Sequence, residues 1–338
     1  MSDRLLSAVV EKTRAQAAIG SLRAEGVYDD DRSVFEASGE TVAIPVTETP
    51  TDTDVLEVIR EEGEPRLRTL PDHLRERGWT DGEIEAAPSS WAVLGSVILV
   101  EMGEVHDPEA VGEALLAMHG QADTVLARGG IAGDHREPDV TVVAGEGDTQ
   151  TVHVEHGTEY AMDLAEVMFS PGNKAERARM GDAVTDGERV LDMFAGIGYF
   201  TLPMAAAGAH VTAIERNPDS FQFLLENAVR NGVKERVEPY RADNRDVLDA
   251  YDGEPFDRVV MGYYEAHEHL AEAVSVLAAG GIVHMHEATP EALVPDRPVG
   301  RLEDAAAEAG RDVEILDVHE VKGYSEGVVH VVVDARVS

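Results

Sequence analysis

The stretch "LDMFAGIGYFTLP", Leu191–Pro203, joins the end of an apolar strand to the start of a helix through a glycine-rich turn. Glycines at 196 and 198 allow a tight turn and a close approach of the main chain to a ligand. The start of the following helix adds backbone N–H donors. A Gly-x-Gly turn alone also occurs in strand–helix connections that bind nothing, so its interpretation depends on the neighbouring strands.

Polar side chains also end the next two strands of the chain. Glu215 follows "HVTAI", 23 residues after Asp192, at a position where a carboxylate can accept both hydroxyls of a ribose. Asp243 and Asn244 follow "VEPYRA", where they can hydrogen-bond an adenine edge. The carboxyl ends of parallel strands meet in one crevice. The order Asp-x-Phe-x-Gly-x-Gly, unlike Gly-x-Gly-x-x-Gly, favours S-adenosylmethionine over NAD.

Strands and helices alternate after Asp186, which predicts an α/β fold with a mostly parallel sheet covered on both faces. The predicted strands are "RVLDMFA", "HVTAIE", "VEPYRAD", "DRVVMG" and "GGIVHMHE". The final segment, "DVEILDVHEVKGYSEGVVHVVVDARV", predicts two more strands in an antiparallel hairpin at the sheet edge. The fold class is therefore a seven-stranded Rossmann-like sheet preceded by small α+β domains.

Four segments are predicted along the chain. Residues 1–50 form a small α/β module, 51–88 a linker without an assigned role, 89–168 an α+β domain, and 169–338 the cofactor and catalytic domain. The first segment contains apolar residues at near-helical spacing, which predict a helix there: Leu6, Val9, Val10, Ala17 and Leu22. The linker begins in the Pro/Thr/Asp-rich "VTETPTDTDV".

The composition is strongly acidic. The 338 residues include 66 Asp and Glu against 28 Lys and Arg, a formal net charge of −38, and only four of the basic residues are lysines. The acidic residues are spread through a chain that is 43% apolar, which predicts a folded, halophilic protein and not a disordered tail. Molar salt shortens the Debye length to about 3 Å, so this charge does not exclude a nucleic-acid partner.

Several classes of site are excluded or disfavoured. The chain has no cysteine, which rules out disulfides, thiolate nucleophiles and Cys-based zinc sites. His284 and His286 share one strand face, but no third ligand is evident, so hydrogen-bonded histidines are favoured over a metal site. The start of the chain has no signal-peptide pattern, and the longest apolar run, "WAVLGSVILV", is half a membrane span. We therefore expect a soluble, cytoplasmic protein without membrane association or metal.

The segment "FSPGNKAERARMG", Phe169–Gly181, is net positive and allows two interpretations. It is a helix carrying a Glu176–Arg179 ion pair at i,i+3, or it is a basic ledge beside the cofactor that contacts phosphate or a carboxylate. The Gly-rich "RGGIAGDHREPD", with Arg128 and Arg136, suggests the same second role.

From about Ser89 to its end, the chain resembles the archaeal tRNA wybutosine-synthesising protein 2 family. The resemblance is carried by "FSPGNKAERARM", "LDMFAGIGYFTLPMA", "AIERNPDSFQFLLENAVRNGVKERV", "ADNRDV", "DRVVMGYYEAHEHL", "GGIVHMHEATPE" and "GYSEGVVHVVVDARV". The tRNA guanine-37 N1-methyltransferases are its sister family. The first 50 residues resemble that sister's N-terminal module, which helps to hold the tRNA body.

The resemblance implies transfer of the 3-amino-3-carboxypropyl group of S-adenosylmethionine, and not of its methyl. The implied acceptor is carbon 7 of 4-demethylwyosine at position 37 of tRNA(Phe), and methylthioadenosine is released. A sulfonium activates all three attached carbons, so the pose of the donor decides which one reacts. A monomer is expected.

The resemblance also implies residue roles. The cofactor-binding positions are Ser170 and Arg177 on the methionine side, Asp192, Phe194 and Gly196 in the first loop, Glu215 at the ribose, and Asp243 with Asn244 at the adenine. The implied substrate-binding residues are Tyr263, Tyr264 and Lys174. Glu176 and Arg136 match positions that act on a guanine proton in the sister family, so a catalytic role for them here is a hypothesis.

The corner Met261-Gly262-Tyr263 separates the two families. The sister family carries an Asn-Leu-Pro or Asn-Pro-Pro-like sequence there, whereas this chain has no carboxamide, carboxylate or proline. Tyr263 or Tyr264 can stack on a large flat base. Three alternatives stay open: a guanine-37 N1-methyltransferase, a bifunctional enzyme that also methylates carbon, and a non-catalytic tRNA-binding protein.

Overall fold

The computed structural model describes residues 5–132 and 137–338, and Arg136 lies outside these ranges. The chain divides into an N-terminal unit that ends at Glu85 and a larger unit, Ala86–Ser338. Within the described ranges, no helix is both long and apolar enough to cross a membrane.

The N-terminal unit is a four-stranded antiparallel sheet with a helix on one face. Its elements are β1 (Leu5–Glu11), α1 (Ala15–Glu25), β2 (Phe35–Ser38), β3 (Thr41–Val46), β4 (Glu57–Glu61), α2 (Leu70–Glu76) and α3 (Asp81–Glu85). The strand order is β2-β3-β1-β4. Leu22 of α1 packs on Ala8, Val10 and Ile44 of the sheet.

Two features of this unit differ from the sequence predictions. The helix expected around Leu6–Val10 is wrong: these residues form β1, which pairs with β3 on one side and β4 on the other. A short apolar run fits a central strand as well as a helix, and only its pairing decides between them. Residues 51–88, expected to be a linker, include β4, α2 and α3.

The larger unit opens with an α+β layer. It contains β5 (Trp91–Leu94), β6 (Val97–Val100), α4 (Pro108–Met118), β7 (Thr124–Ala132) and β8 (Glu137–Gly145), with the strands in that order. β5 and β6 form the strand pair expected from "WAVLGSVILV", and α4 connects the parallel strands β6 and β7. A separate antiparallel pair, β9 (Gln150–Glu155) and β10 (Thr158–Asp163), follows.

The rest of the unit is a seven-stranded sheet. Its elements are α5 (Lys174–Ala183), β11 (Arg189–Asp192), α6 (Thr201–Ala206), β12 (His210–Ile214), α7 (Pro218–Arg230), β13 (Val237–Tyr240), α8 (Asn244–Asp249), β14 (Phe256–Met261), α9 (Leu270–Val276), β15 (Leu277–Pro290), α10 (Asp296–Glu308), β16 (Val313–Ser325) and β17 (Val328–Val337). The order is β13-β12-β11-β14-β15-β17-β16.

The predicted fold class is confirmed in this sheet. The first five strands in space are parallel, and β17 runs antiparallel to both β15 and β16. The strand order reverses between β11 and β14, which is where open α/β sheets form their ligand crevice. Apolar side chains pack on both faces of the sheet, as the continuous apolar strands require.

Candidate cofactor and acceptor sites

A cavity of about 120 Å³ lies at the carboxyl ends of β11, β12 and β14, at the reversal of strand order. The residues that line it are Met168, Ser170, Asn173, Arg177, Phe194, Gly196, Tyr199, Phe200, Glu215, Ser220, Gly262, Tyr263, Tyr264, His286 and His330. We call this the cofactor cavity. It brings together five of the eight residues predicted to bind cofactor: Ser170, Arg177, Phe194, Gly196 and Glu215.

The first loop is held in place by Asp192. This carboxylate is fully buried at the end of β11 and accepts hydrogen bonds from Thr201 Oγ1 at 2.7 Å and from the Phe194 N–H at 3.4 Å. Burial raises the pKa of Asp192 to about 6. Asp192 does not line the cofactor cavity, so its contribution is to fix the loop.

Gly196 is required for the shape of the same loop. Its φ is +56°, and a Cβ there would lie 2.2 Å from Cε2 of Tyr199. The Gly196 N–H donates to Glu215 at 2.7 Å, and the Asn217 N–H donates to the other oxygen of that carboxylate at 2.7 Å. Glu215 is thereby fixed at the cavity wall, and burial raises its pKa.

A side cavity on the other side of Glu215 contains the remaining pair of predicted residues. Asp243 and Asn244 line it together with Phe194, Glu215 and Tyr263, which it shares with the cofactor cavity. Asp243 accepts the Arg245 N–H at the start of α8. The Asn244 oxygen lies 2.9 Å from His269 Nδ1, and burial lowers the pKa of that histidine. The segment between β13 and α8 thus places both predicted adenine-site residues in the wall of this side cavity.

Arg177 is a buried residue with a carboxylate partner that the sequence did not reveal. It donates to both oxygens of Glu155, at 2.7 and 2.9 Å, and to the main-chain oxygen of Ser170 at 3.0 Å. Its guanidinium also lies over the Phe169 ring. Burial by itself would raise the pKa of Glu155, but hydrogen bonds from His153 and Arg177 outweigh that effect and lower the pKa to about 2. The cation of Arg177 is thus neutralised within the wall of the cavity.

The segment around α5 forms the ion pair of the first interpretation. Arg179 donates to Glu176 at 2.9 Å and to Asp334 at 2.6 Å, while His319 is hydrogen-bonded to Glu176 at 3.1 Å. Glu176 is buried and lines neither the cofactor cavity nor the groove described next. Lys174 is exposed and is likewise absent from both linings.

A larger groove of about 750 Å³ adjoins the cofactor cavity, and we call it the acceptor groove. Its walls come from the α+β layer, the segment 164–170, the Tyr263–Glu265 loop and β16. Four residues line both spaces and so form their boundary: Met168, Ser170, Tyr263 and Tyr264. Arg128, paired with Glu101, lies in the groove wall.

Aromatic rings surround this boundary. The Tyr263 ring lies 5.1 Å from that of Phe194, and the Tyr264 ring lies 4.8 Å from those of Tyr324 and His330, edge to face. Tyr324, which is half exposed, was missed by sequence reasoning because nothing near it in the sequence marks it as part of a groove.

The corner at Gly262 has no room for a side chain. A Cβ at this position would lie 2.6 Å from Cε2 of Phe200, which fills the space next to β14. The corner therefore presents no polar side chain of its own between Met261 and Tyr263.

A buried histidine pair forms part of the cavity wall. His286 Nδ1 lies 2.9 Å from His330 Nε2, and the other nitrogen of each ring is buried and has no hydrogen-bond partner among the described residues. His286 Nε2 lies 3.9 Å from Glu176. Burial and neighbouring positive or histidine groups lower the pKa of both rings to about 3. His284 is hydrogen-bonded to Asp334, so both histidines of β15 have the packed, hydrogen-bonded role predicted for them.

Two family models match the chain: the TYW2 N-terminal domain over residues 70–149 and the TRM5/TYW2 methyltransferase domain over residues 151–316. A curated relative from Pyrococcus horikoshii is 41% identical over 75% of this chain and 91% of its own length. It is named tRNA(Phe) (4-demethylwyosine(37)-C(7)) aminocarboxypropyltransferase.

Solved structures give the same relationship. The crystal structure of P. horikoshii TYW2 in complex with MeSAdo covers 80% of this chain and 99% of its own, with 37% identity and a TM-score of 0.69. Wild-type Trm5b from Pyrococcus abyssi, whose curated name is tRNA (guanine(37)-N(1))-methyltransferase, covers 99% of both chains with 29% identity and a TM-score of 0.73.

Proposed function

Because the chain belongs to the TRM5/TYW2 family, we propose that it is a tRNA(Phe) (4-demethylwyosine(37)-C(7)) aminocarboxypropyltransferase. In this reaction carbon 7 of the base bonds to the γ-carbon of S-adenosylmethionine. The bond from that carbon to sulfur breaks, its electron pair stays on the sulfur of methylthioadenosine, and carbon 7 loses its proton.

The observation that carries this proposal is the corner at Gly262. An acceptor whose reacting atom is a ring nitrogen needs a polar group to orient it, and this corner lacks one because Phe200 occupies the space of a side chain. A carbon acceptor within a fused tricycle makes no such demand. The Tyr263 and Tyr264 rings offer it flat surfaces where the groove meets the cofactor cavity.

The lining of the cavity supports S-adenosylmethionine as the donor. Glu215 is held by two main-chain N–H groups at the wall, where its carboxylate meets a ribose, and Asp243 with Asn244 border the adenine side. Ser170 and Arg177 also line the cofactor cavity, and we assign them to the methionine moiety. S-adenosylmethionine supplies the electrophilic carbon, and the protein supplies its pose.

We assign Glu176 an indirect role. Its carboxylate is bound by Arg179 and His319 and lies behind His286, so it positions this wall of the cavity and does not touch the acceptor. A catalytic role for Arg136 and a contact of Lys174 with the tRNA substrate stay proposals. Contact of the N-terminal unit with the tRNA body, action as a monomer in the cytoplasm and adaptation to high salt are also part of the proposal.

The test is a transfer assay at high salt with two labelled donors, one labelled in the S-methyl group and one in the methionine backbone. The acceptor is tRNA(Phe) that carries 4-demethylwyosine. Backbone label in the tRNA and release of methylthioadenosine are expected. Methyl label in the tRNA would contradict the proposal.

The similarity to Trm5b makes guanine-37 N1-methylation the second candidate. It is tested with the same donors and tRNA(Phe) that carries unmodified guanosine at position 37. Methyl transfer to this tRNA would establish that activity. Absence of transfer from either donor to either tRNA, with donor binding intact, would favour a non-catalytic tRNA-binding protein.

A further inference from the structure

The boundary between the cofactor cavity and the acceptor groove is where the transferred group must pass. Ser170 is one of the four residues that line both spaces. If the γ-carbon of the donor faces the groove, the amino and carboxylate groups beyond it lie at this boundary too. The protein needs a group there that recognises a carboxylate, since the pose of the donor selects the reacting carbon.

Lys322 reaches this boundary from the C-terminal hairpin. It lies in β16 opposite His330, and its ammonium donates to Ser170 Oγ at 2.5 Å. Its side chain runs over the turn at Gly172, where an added Cβ would lie 3.0 Å from Lys322 Cδ. The ammonium therefore has a defined place beside Ser170, in the wall of the acceptor groove.

Two cations contact Ser170: Arg177 donates to its main-chain oxygen, and Lys322 donates to its hydroxyl. Of the two, Lys322 lines the acceptor groove. The chain has only four lysines, and the other three are exposed. Lys322 is the half-buried one.

Ser170 adds a second donor at the same point. A hydroxyl that accepts a hydrogen bond from an ammonium keeps its own hydrogen for another acceptor. The two groups together can give a carboxylate one charge-assisted and one neutral hydrogen bond. The contact between Lys322 and Ser170 thus pre-arranges two donors for a single anion.

We propose that Lys322, acting with Ser170, binds the α-carboxylate of S-adenosylmethionine and so directs the γ-carbon toward the acceptor. This assignment rests on the proposed function. If that function is correct, the contact explains why the aminocarboxypropyl chain is transferred and not the methyl group. It makes Lys322 a specificity-determining residue contributed by the sheet-edge hairpin.

The test is calorimetric binding of three ligands to the full-length protein without tRNA. S-adenosylmethionine and S-adenosylhomocysteine carry the carboxylate, and methylthioadenosine lacks the whole chain. Lys322→Met is expected to weaken binding of the first two by about tenfold or more, the usual range for a lost charge-assisted contact. Binding of methylthioadenosine should stay within about twofold.

Two further variants complete the experiment. Lys322→Arg keeps the positive charge and should recover most of the affinity for both carboxylate ligands. Lys234→Met removes an exposed lysine in the turn before β13 and should leave all three affinities unchanged. Thermal unfolding of each variant checks that the fold is intact.

Unchanged affinity of Lys322→Met for S-adenosylmethionine would overturn the proposal. An equal loss for methylthioadenosine would overturn it as well, because that result reports a distorted cavity. No acceptor base takes part in these measurements. The binding test can therefore fail while the labelled transfer assay succeeds, or succeed while that assay fails. Failure of the Lys322 proposal is thus distinguishable from failure of the proposed function.

Discussion

A single carboxylate, Glu215, connects three parts of the candidate site. It follows β12, receives the N–H of Gly196 from the neighbouring loop and the N–H of Asn217 from the start of α7, and lines both the cofactor cavity and the side cavity. Two main-chain donors leave the carboxylate little freedom, which suits the contact with two ribose hydroxyls that we propose for it.

Replacement of Glu215 by Gln is expected to weaken S-adenosylmethionine binding by about ten- to a hundredfold, equivalent to about 1.4–2.7 kcal/mol. The amide keeps the size of the side chain, but its NH2 group cannot accept hydrogen bonds. Partners that now donate to that carboxylate oxygen therefore lose their acceptor. Calorimetric titration measures the change. The matched control is Glu226→Gln on the exposed face of α7, and equal affinities of the two variants would refute the role.

The His286–His330 pair makes the folded state sensitive to acid. Burial is the main reason that the pKa of His286 falls to about 3 in the folded protein, while an unfolded histidine has a pKa of about 6.5. Between these values the unfolded chain binds a proton that the folded chain does not, so stability falls as the pH falls below about 6.5. The charged and titratable groups that face the ring are Glu176, Arg179, His284, His319, His330 and Asp334.

His286→Gln should reduce this acid sensitivity. Between pH 7.5 and pH 5, the wild-type protein is expected to lose about 2 kcal/mol more of its free energy of unfolding than the variant does. Urea unfolding at the two pH values measures this difference. His210→Gln, at an exposed position in β12, should behave as the wild type. Asp192, with its raised pKa, acts in the opposite direction in both proteins, so the comparison cancels it.

At the scale of elements, α7 holds the β9–β10 pair against the cofactor loop through two asparagines one turn apart. Asn227 is fully buried; its oxygen accepts the Ala161 N–H at 2.7 Å, and its nitrogen donates to the Ala161 and Ile197 carbonyls at 3.0 Å. Asn231 pairs with Glu159 in the same way. The side chains act like a neighbouring strand for β10 and tie it to the loop that contains Gly196.

Asn227→Ala is expected to lower the free energy of unfolding by about 2–4 kcal/mol, because it leaves buried main-chain groups without partners. Asn231→Ala should lower the free energy of unfolding by a smaller amount, since water can reach the half-buried partners of Asn231. Denaturant unfolding of both variants gives the comparison. A loss for Asn227→Ala no larger than that for Asn231→Ala would show that burial of these contacts does not control their strength.

At the scale of the whole molecule, the net charge of −38 opposes folding through mutual repulsion of carboxylates. Partial relief comes from buried and bidentate pairs such as Arg177–Glu155 and Arg179–Asp334. The remaining charge is at the surface, where its effect depends on screening. Salt shortens the Debye length from about 10 Å at 0.1 M to about 3 Å at 1 M.

The melting temperature is therefore expected to rise with KCl, most steeply below about 1 M, where the Debye length changes most. Differential scanning calorimetry across a KCl series measures it. NaCl should give the same dependence of melting temperature on concentration if screening is the cause. If specific ion binding were the cause, the NaCl and KCl curves would differ. A melting temperature that is flat or falls with KCl would contradict the prediction.

The amino-acid sequence by itself determined the parts of this protein that depend on neighbouring residues. The alternation of strands and helices, the Gly196 turn and the placement of Glu215 follow from local periodicity and turn chemistry, and the structure has them where they were predicted. The Glu176–Arg179 pair also lies within one helical turn and was one of two interpretations.

Only the tertiary structure decided which distant residues meet. Lys322 contacts Ser170 across 152 positions, His330 contacts His286 across 44, and Glu155 of β9 binds Arg177 of α5 across 22. The strand β4 is a further example. Its sequence is charged and has no clear strand pattern, and only its pairing with β1 identifies it as a strand. These contacts depend on how strands align and hairpins dock, so they have no local pattern. The contact between Lys322 and Ser170, to which we assign the choice of the transferred carbon, is therefore set by packing between segments far apart in the chain.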